Sequence, residues 1–120
     1  MKKTIVLIDD DEVHNFIAKI KLAAFYPDAE ILAFTSPIEG LEYLENNSPQ
    51  LLLLDVNMRE FSGFEFVERY DKRGFNTRDT AIVVLSSSFY DKDMERADSY
   101  DSVSEYRVKP CDYSVLAKYL

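Results

Sequence analysis

The sequence predicts an α/β domain of five βα units, with a doubly wound, parallel five-stranded sheet covered by helices on both faces. Three observations lead there. Short, continuously apolar runs (Thr4-Ile5-Val6-Leu7-Ile8, Leu51-Leu52-Leu53-Leu54, Ala81-Ile82-Val83-Val84-Leu85) alternate with longer segments of helical periodicity. A strand that is apolar on both faces belongs inside a covered sheet. Alternating strands and helices are most simply joined by right-handed crossovers. Polar residues then stand at strand ends, where open α/β sheets place their sites.

Taken in order, Thr4–Ile8 is a buried strand stopped by Asp9-Asp10-Asp11. Val13, Phe16, Ile17, Ile20 and Ala24 recur at helical spacing, giving a first helix to Phe25. One of the aspartates can cap it, and Tyr26-Pro27-Asp28 ends it. Glu30–Phe34 is the second strand. Ser36-Pro37-Ile38-Glu39 starts a helix with serine at the N-cap and proline at the first position. Its expected inner stripe is Ile38, Leu41 and Leu44. The third strand is Leu51–Asp55, followed by a loop from Asn57 to Gly63. Phe64, Val67 and Tyr70 mark a third helix ending before Gly74. Thr80–Leu85 is the fourth strand, finished by Ser86-Ser87-Ser88. A polar fourth helix is expected over 91–101, with Met94 and Ala97 inward. Val103–Val108 is the last strand, and Tyr113, Leu116, Tyr119 and Leu120 shape a final helix.

Residues 1–120 are expected to form one domain with a real core, since 47% are hydrophobic. The formal charge of −8 opposes direct binding to nucleic acid or to an anionic membrane, which needs clustered Lys and Arg. The single Cys111 excludes an internal disulfide, and a reducing, cytoplasmic setting is expected. No apolar run approaches the ~20 residues of a membrane span.

In a parallel sheet, Asp9, Asp10, Asp55, Ser86 and Lys109 converge on one edge. Singly, each has a plainer role. The aspartates can cap a helix, Asp55 or Ser86 can cap a loop, and Lys109 can be a solvated charge. His14 lacks a partner at metal-site spacing and reads as a helix-surface residue; Cys111 reads as an ordinary small side chain. Their joint register with four strands is the signal. Three carboxylates brought together repel unless a proton or cation intervenes. Oxygen-only ligands suit Mg²⁺. The lysine and the hydroxyl can contact phosphoryl oxygens. Asp55, alone at a central strand end, is best placed as nucleophile for phosphoryl transfer.

This order of residues resembles the receiver domain of two-component response regulators, with its CheY-like, flavodoxin-like fold, over essentially the whole chain. The likeness lies in Ile5-Val6-Leu7-Ile8-Asp9-Asp10-Asp11, in Leu53-Leu54-Asp55-Val56-Asn57-Met58 with Gly63, in Ile82-Val83-Val84-Leu85-Ser86-Ser87, and in Tyr106-Arg107-Val108-Lys109-Pro110. It implies that Asp55 accepts a phosphoryl group from the phosphohistidine of a histidine kinase or phosphotransfer protein. It implies that Asp10 ligates Mg²⁺ directly, Asp9 largely through water, and Asn57 through its backbone carbonyl, with Asp55 as a further ligand. Ser86 and Lys109 would contact the phosphoryl oxygens. Tyr106 would relay the change to the face of the fourth helix, fifth strand and fifth helix, where a downstream protein binds. Mg²⁺-dependent autodephosphorylation also follows from the resemblance.

Departures from the pattern are Arg59, where proline is usual, and Ser102-Val103, where Gly-Ala is common before the last strand. Arg59 removes a backbone restraint and adds a cation near the site. The small Ser88 implies little shielding of attacking water. The Met1-Lys2-Lys3 start is expected of an N-terminal or stand-alone receiver. Three rivals share features: a haloacid-dehalogenase-type phosphohydrolase using Asp9, a receiver-shaped domain that is never phosphorylated, and a flavodoxin-like electron carrier. The first leaves Asp55 unused, the second leaves every acceptor-site residue unexplained, and the third would place an acidic loop against a flavin phosphate.

Overall fold

The computed structural model describes residues 2–87 and 91–120. Five strands, β1 (Thr4–Ile8), β2 (Glu30–Phe34), β3 (Leu51–Asp55), β4 (Ala81–Ser86) and β5 (Val103–Val108), form one sheet in the order β2-β1-β3-β4-β5. Every pairing is parallel. The helices are α1 (Glu12–Phe25), α2 (Pro37–Leu44), α3 (Gly63–Lys72) and α4 (Asp91–Asp98), with 3₁₀ segments at Phe75–Thr77 and Tyr113–Tyr119. This is the expected (βα)5 doubly wound, flavodoxin-like sheet.

Alternation along the strands divides the core. Val6, Ile8, Leu52, Leu54, Ile82 and Val84 face α2, α3 and α4 through Leu41, Leu44, Phe64, Phe66, Val67, Tyr70 and Ala97. Ile5, Leu7, Leu51, Leu53, Val83 and Leu85 face α1 and the last helix through Ala18, Leu22, Tyr113 and Leu116. All five residues of β3 are buried, as a central strand between two helix layers requires.

Local signals explain the helix starts. Asp11 accepts from the main-chain N–H groups of Val13 (3.0 Å) and His14 (3.1 Å). Ser36 caps α2 through Glu39 N–H, with Pro37 at its first position. Ser62 caps α3 through Glu65 N–H.

Helical spacing located the helices but not always their inner faces. In α1 the buried residues are Asn15, Ala18 and Leu22, while Val13, Phe16, Ile17 and Ile20 point outward. Ile38 and Met94 are exposed rather than inward, and Gly40 takes the inner place in α2 beside Ile8. Helix α4 ends at Asp98, short of the expected 101. The chain then turns through Tyr100 and enters β5 with a register irregularity opposite Ile82 and Val83. Ser104 hydroxyl oxygen accepts from Ile82 N–H there. The last helix is 3₁₀ over seven residues, longer than that geometry usually runs, and the hydroxyl of Tyr26 shares its first-turn carbonyls at Tyr113 and Ser114. On the edge strand β5, Glu105 binds Arg107 and Lys118. Among the described residues, no helix is long and apolar enough to cross a membrane.

Candidate functional site

The site lies at the carboxyl ends of the strands, where β1 and β3 are neighbours although their connections run to opposite faces. After β1 the three aspartates divide their work. Asp11 is spent on capping α1. Asp9 turns inward and is 5% exposed. Its Oδ1 accepts from Asp11 N–H at 3.0 Å, and Asn15 Nδ2 donates to its main-chain carbonyl at 2.8 Å. Asp10 stays at the rim.

Asp55 ends β3 at 6% exposure. The chain beyond it is pinned by Val56 N–H to Leu85 O (3.0 Å) and Gly63 N–H to Val56 O (2.9 Å). Ser86 is fully buried at the end of β4. Its carbonyl accepts from Lys109 N–H at 2.8 Å, which brings the end of β5 beside it. The Lys109–Pro110 peptide bond is cis.

Lys109 then reaches back across the sheet edge. Its Nζ lies 2.7 Å from Asp55 Oδ1 and 3.0 Å from Asp9 Oδ2. Burial pushes the Asp55 carboxyl above its ordinary value; the hydrogen bond from Lys109 opposes this, and the charge of Asp9 adds to it. Burial would lower the Lys109 ammonium, but its hydrogen bonds to Asp55 and Asp9 outweigh that and hold it above its ordinary value.

One oxygen from each of Asp9, Asp10 and Asp55 lies within 4.8 Å of the others. An octahedral Mg²⁺ site, with metal–oxygen distances of about 2.0–2.1 Å, sets its oxygens about 3–4 Å apart. The all-oxygen donor set and its excess of negative charge fit a hard divalent cation.

Asn57 is exposed on the loop after β3. With Asp10, Val13, Met58 and Arg59 it lines an open groove of about 940 Å³. Tyr106 is half-buried on β5, opposite Val84, and packs on the α2–α3–α4 side of the core. It lines a second groove of about 470 Å³ with Met94, Glu95, Asp98, Ser104 and Glu105. Ser88 lies outside the described residues.

Three features exceed the sequence reading. His14, expected on the helix surface, is partly buried with Nδ1 2.8 Å from Asp9 Oδ2, close in distance but off the hydrogen-bonding line. Its position three residues into a helix that begins at the site was the available signal. Arg59 donates to Asp10 Oδ2 from its main-chain N–H (2.9 Å) and its Nε (3.2 Å). The outward apolar row of α1 is the third, and its signal was an apolar stripe on a helix that also carries Ala18 and Leu22.

A sequence profile described as "Response regulator receiver domain" matches residues 5–120. The probable methanogenesis regulatory protein FilR2 of Methanothrix harundinacea (strain 6Ac) is 31% identical over 127 residues, covering 95% of this chain and 76% of that protein. The nitrate/nitrite response regulator protein NarL of Escherichia coli (strain K12) is 34% identical over 95 residues, covering 78% of this chain and 42% of that protein. In fold, the crystal structure of a two-component response regulator from Cytophaga hutchinsonii superposes with a TM-score of 0.88 at 24% identity, covering 99% of this chain and 95% of the other. The chain belongs to the response regulator receiver domain family. Its activity is of the kind that family carries, phosphorylation-dependent signalling in two-component systems, with histidine kinases or phosphotransfer proteins as the typical partners.

Proposed function

We propose that residues 1–120 are a receiver domain whose phosphoacceptor is Asp55, loaded from the phosphohistidine of a histidine kinase or phosphotransfer protein and cleared by Mg²⁺-dependent autodephosphorylation. The observation that carries this reading is the buried Asp55 carboxylate, 2.7 Å from Lys109 and within 4.8 Å of oxygens of Asp9 and Asp10.

An Asp55 oxygen attacks phosphorus, the new O–P bond forms, the donor's N–P bond breaks, and its electron pair stays on the imidazole nitrogen. Burial makes this carboxylate more basic and so a stronger nucleophile. Lys109, already on Asp55, transfers its ammonium to a phosphoryl oxygen, and Ser86 donates to another. Asp10, Asp55 and the backbone carbonyl of Asn57 would hold Mg²⁺. Asp9, whose oxygens serve Asp11 N–H and Lys109, would act largely through water. Once bound, the ion supplies positive charge against the phosphoryl oxygens.

Two faces serve partners in this reading. The exposed Val13, Phe16, Ile17 and Ile20 of α1 start at the mouth of the acceptor groove, where Val13 stands with Asp10, and suit an apolar helix face of the phosphodonor. The α4–β5–final-helix face, with Tyr106 and Met94 in its groove, carries output to a downstream protein.

Incubation with acetyl phosphate and Mg²⁺, followed by intact mass, tests the central claim. One base-labile phosphoryl group is expected, absent in Asp55→Ala. Equal labelling of that variant would overturn the assignment.

A further inference from the structure

Arg59 offers Asp10 two donors on a single oxygen. Both its main-chain N–H and its Nε address Oδ2, at 2.9 and 3.2 Å. A proline, usual at this place in the pattern, supplies neither. The guanidinium is 88% exposed, so its half of the contact is weak and screened by salt. The main-chain N–H is fixed by the loop and forms a charge-assisted bond that costs no side-chain ordering.

A coordinated cation needs the same carboxylate. An oxygen accepting two N–H bonds has its lone pairs committed, and a guanidinium beside it repels a divalent charge. Lys109 already shares its one positive charge between Asp9 and Asp55 from the other side. Arg59 therefore adds the second cation to a cluster of three carboxylates, which stays net negative without metal.

We propose that Arg59 competes with the divalent cation for Asp10, its two donors on Oδ2 leaving only Oδ1 uncommitted, so that cation binding weakens the Arg59–Asp10 pair and frees the Arg59 side chain at the mouth of the groove. The inference rests on Asp10 being a cation ligand. Its consequence is a site tuned to weaker cation affinity than the same cluster with proline at 59, and a guanidinium that is unpaired from Asp10 when the cation is in place.

Calorimetric titration of the full chain with Mg²⁺ alone tests this in wild type, Arg59→Ala and Arg59→Pro. Arg59→Ala keeps the N–H and removes the guanidinium; Arg59→Pro removes both. The expected order is wild type weakest, Arg59→Ala a few-fold tighter with the gain fading at high salt, and Arg59→Pro about tenfold tighter at low salt, keeping at high salt the part due to the lost N–H. In the wild type, the Arg59 main-chain amide resonance is expected to shift on Mg²⁺ addition. The exposed position makes folding of both variants secure, and Arg59→Ala gives a readout without altering the backbone. Equal or weaker Mg²⁺ binding by both variants overturns the competition while leaving the cation site intact. Absence of Mg²⁺ binding in all three overturns the cation site and the competition together.

Discussion

A Cβ atom on Gly63 would lie 2.5 Å from the carbonyl oxygen of Asp55 and 3.1 Å from its carbonyl carbon. The start of α3 thus rests directly on the main chain of the proposed acceptor. Backbone atoms cannot rotate out of the way, so Gly63→Ala forces the loop apart. We expect a loss of about 1–3 kcal/mol, several degrees in Tm, together with slower labelling by acetyl phosphate. A thermal melt and a labelling time course check this. Unchanged stability would mean the loop yields freely.

The Asp55 carboxyl is raised by burial and by neighbouring Asp9, so its neutral form is favoured by folding. The stability this contributes is fully present below the ordinary carboxylate value and is lost as pH rises through the higher folded value. At neutral pH the ionised group is a net burden on the fold. Asp55→Asn is therefore expected to raise Tm by a few degrees near pH 7, and the difference should vanish in acid, below the unfolded carboxylate range. Melts from acid to neutral pH decide it; a variant less stable than wild type at pH 7 would contradict the sign.

Phe16 is 67% exposed on the apolar row of α1. Phe16→Glu is expected to change stability by no more than about 0.5 kcal/mol. Labelling by acetyl phosphate should be unaffected, because the small donor needs no docking face. Transfer from a phosphohistidine protein that labels the wild type should fall about tenfold or more. Equal transfer rates would remove α1 from the donor interface.

Met94 and Tyr106 share the groove between α4 and β5. Phosphorylation is expected to move the Met94 methyl resonance in the wild type and to leave it still in Asp55→Ala. A methyl signal indifferent to the phosphoryl group would separate this groove from the switch.

Strand ends were the most legible part of the sequence because the chemistry there follows from register alone. In a parallel sheet, Asp55, Ser86 and Lys109 must meet once their strands are placed. Helix faces were less legible. The apolar row at Val13, Phe16, Ile17 and Ile20 has the spacing of a core stripe, but α1 turns Ala18 and Leu22 inward. Small residues allow close approach to the sheet, and spacing alone does not distinguish a stripe that meets the core from one that meets solvent. Ile38 and Met94 are the same case in miniature. The Arg59–Asp10 contact crosses 49 residues of sequence and depends on a main-chain N–H, which no residue pattern advertises. His14 beside Asp9 depends on where α1 starts, and that was set by which aspartate became its cap.

The charges along β5 have a consequence for how this protein can be approached. Glu105, gripped by Arg107 and Lys118, sits on β5, one of the two edge strands. An open sheet edge is a template for another chain to pair with, and charged side chains along it discourage that polymerising contact. The same decoration selects the style of recognition there. Glu105 and Arg107 share one face of the strand with Lys118 of the last helix, so a visitor to this rim meets ionic side chains on that face, which favours docking flank-on over extending the sheet by one more strand.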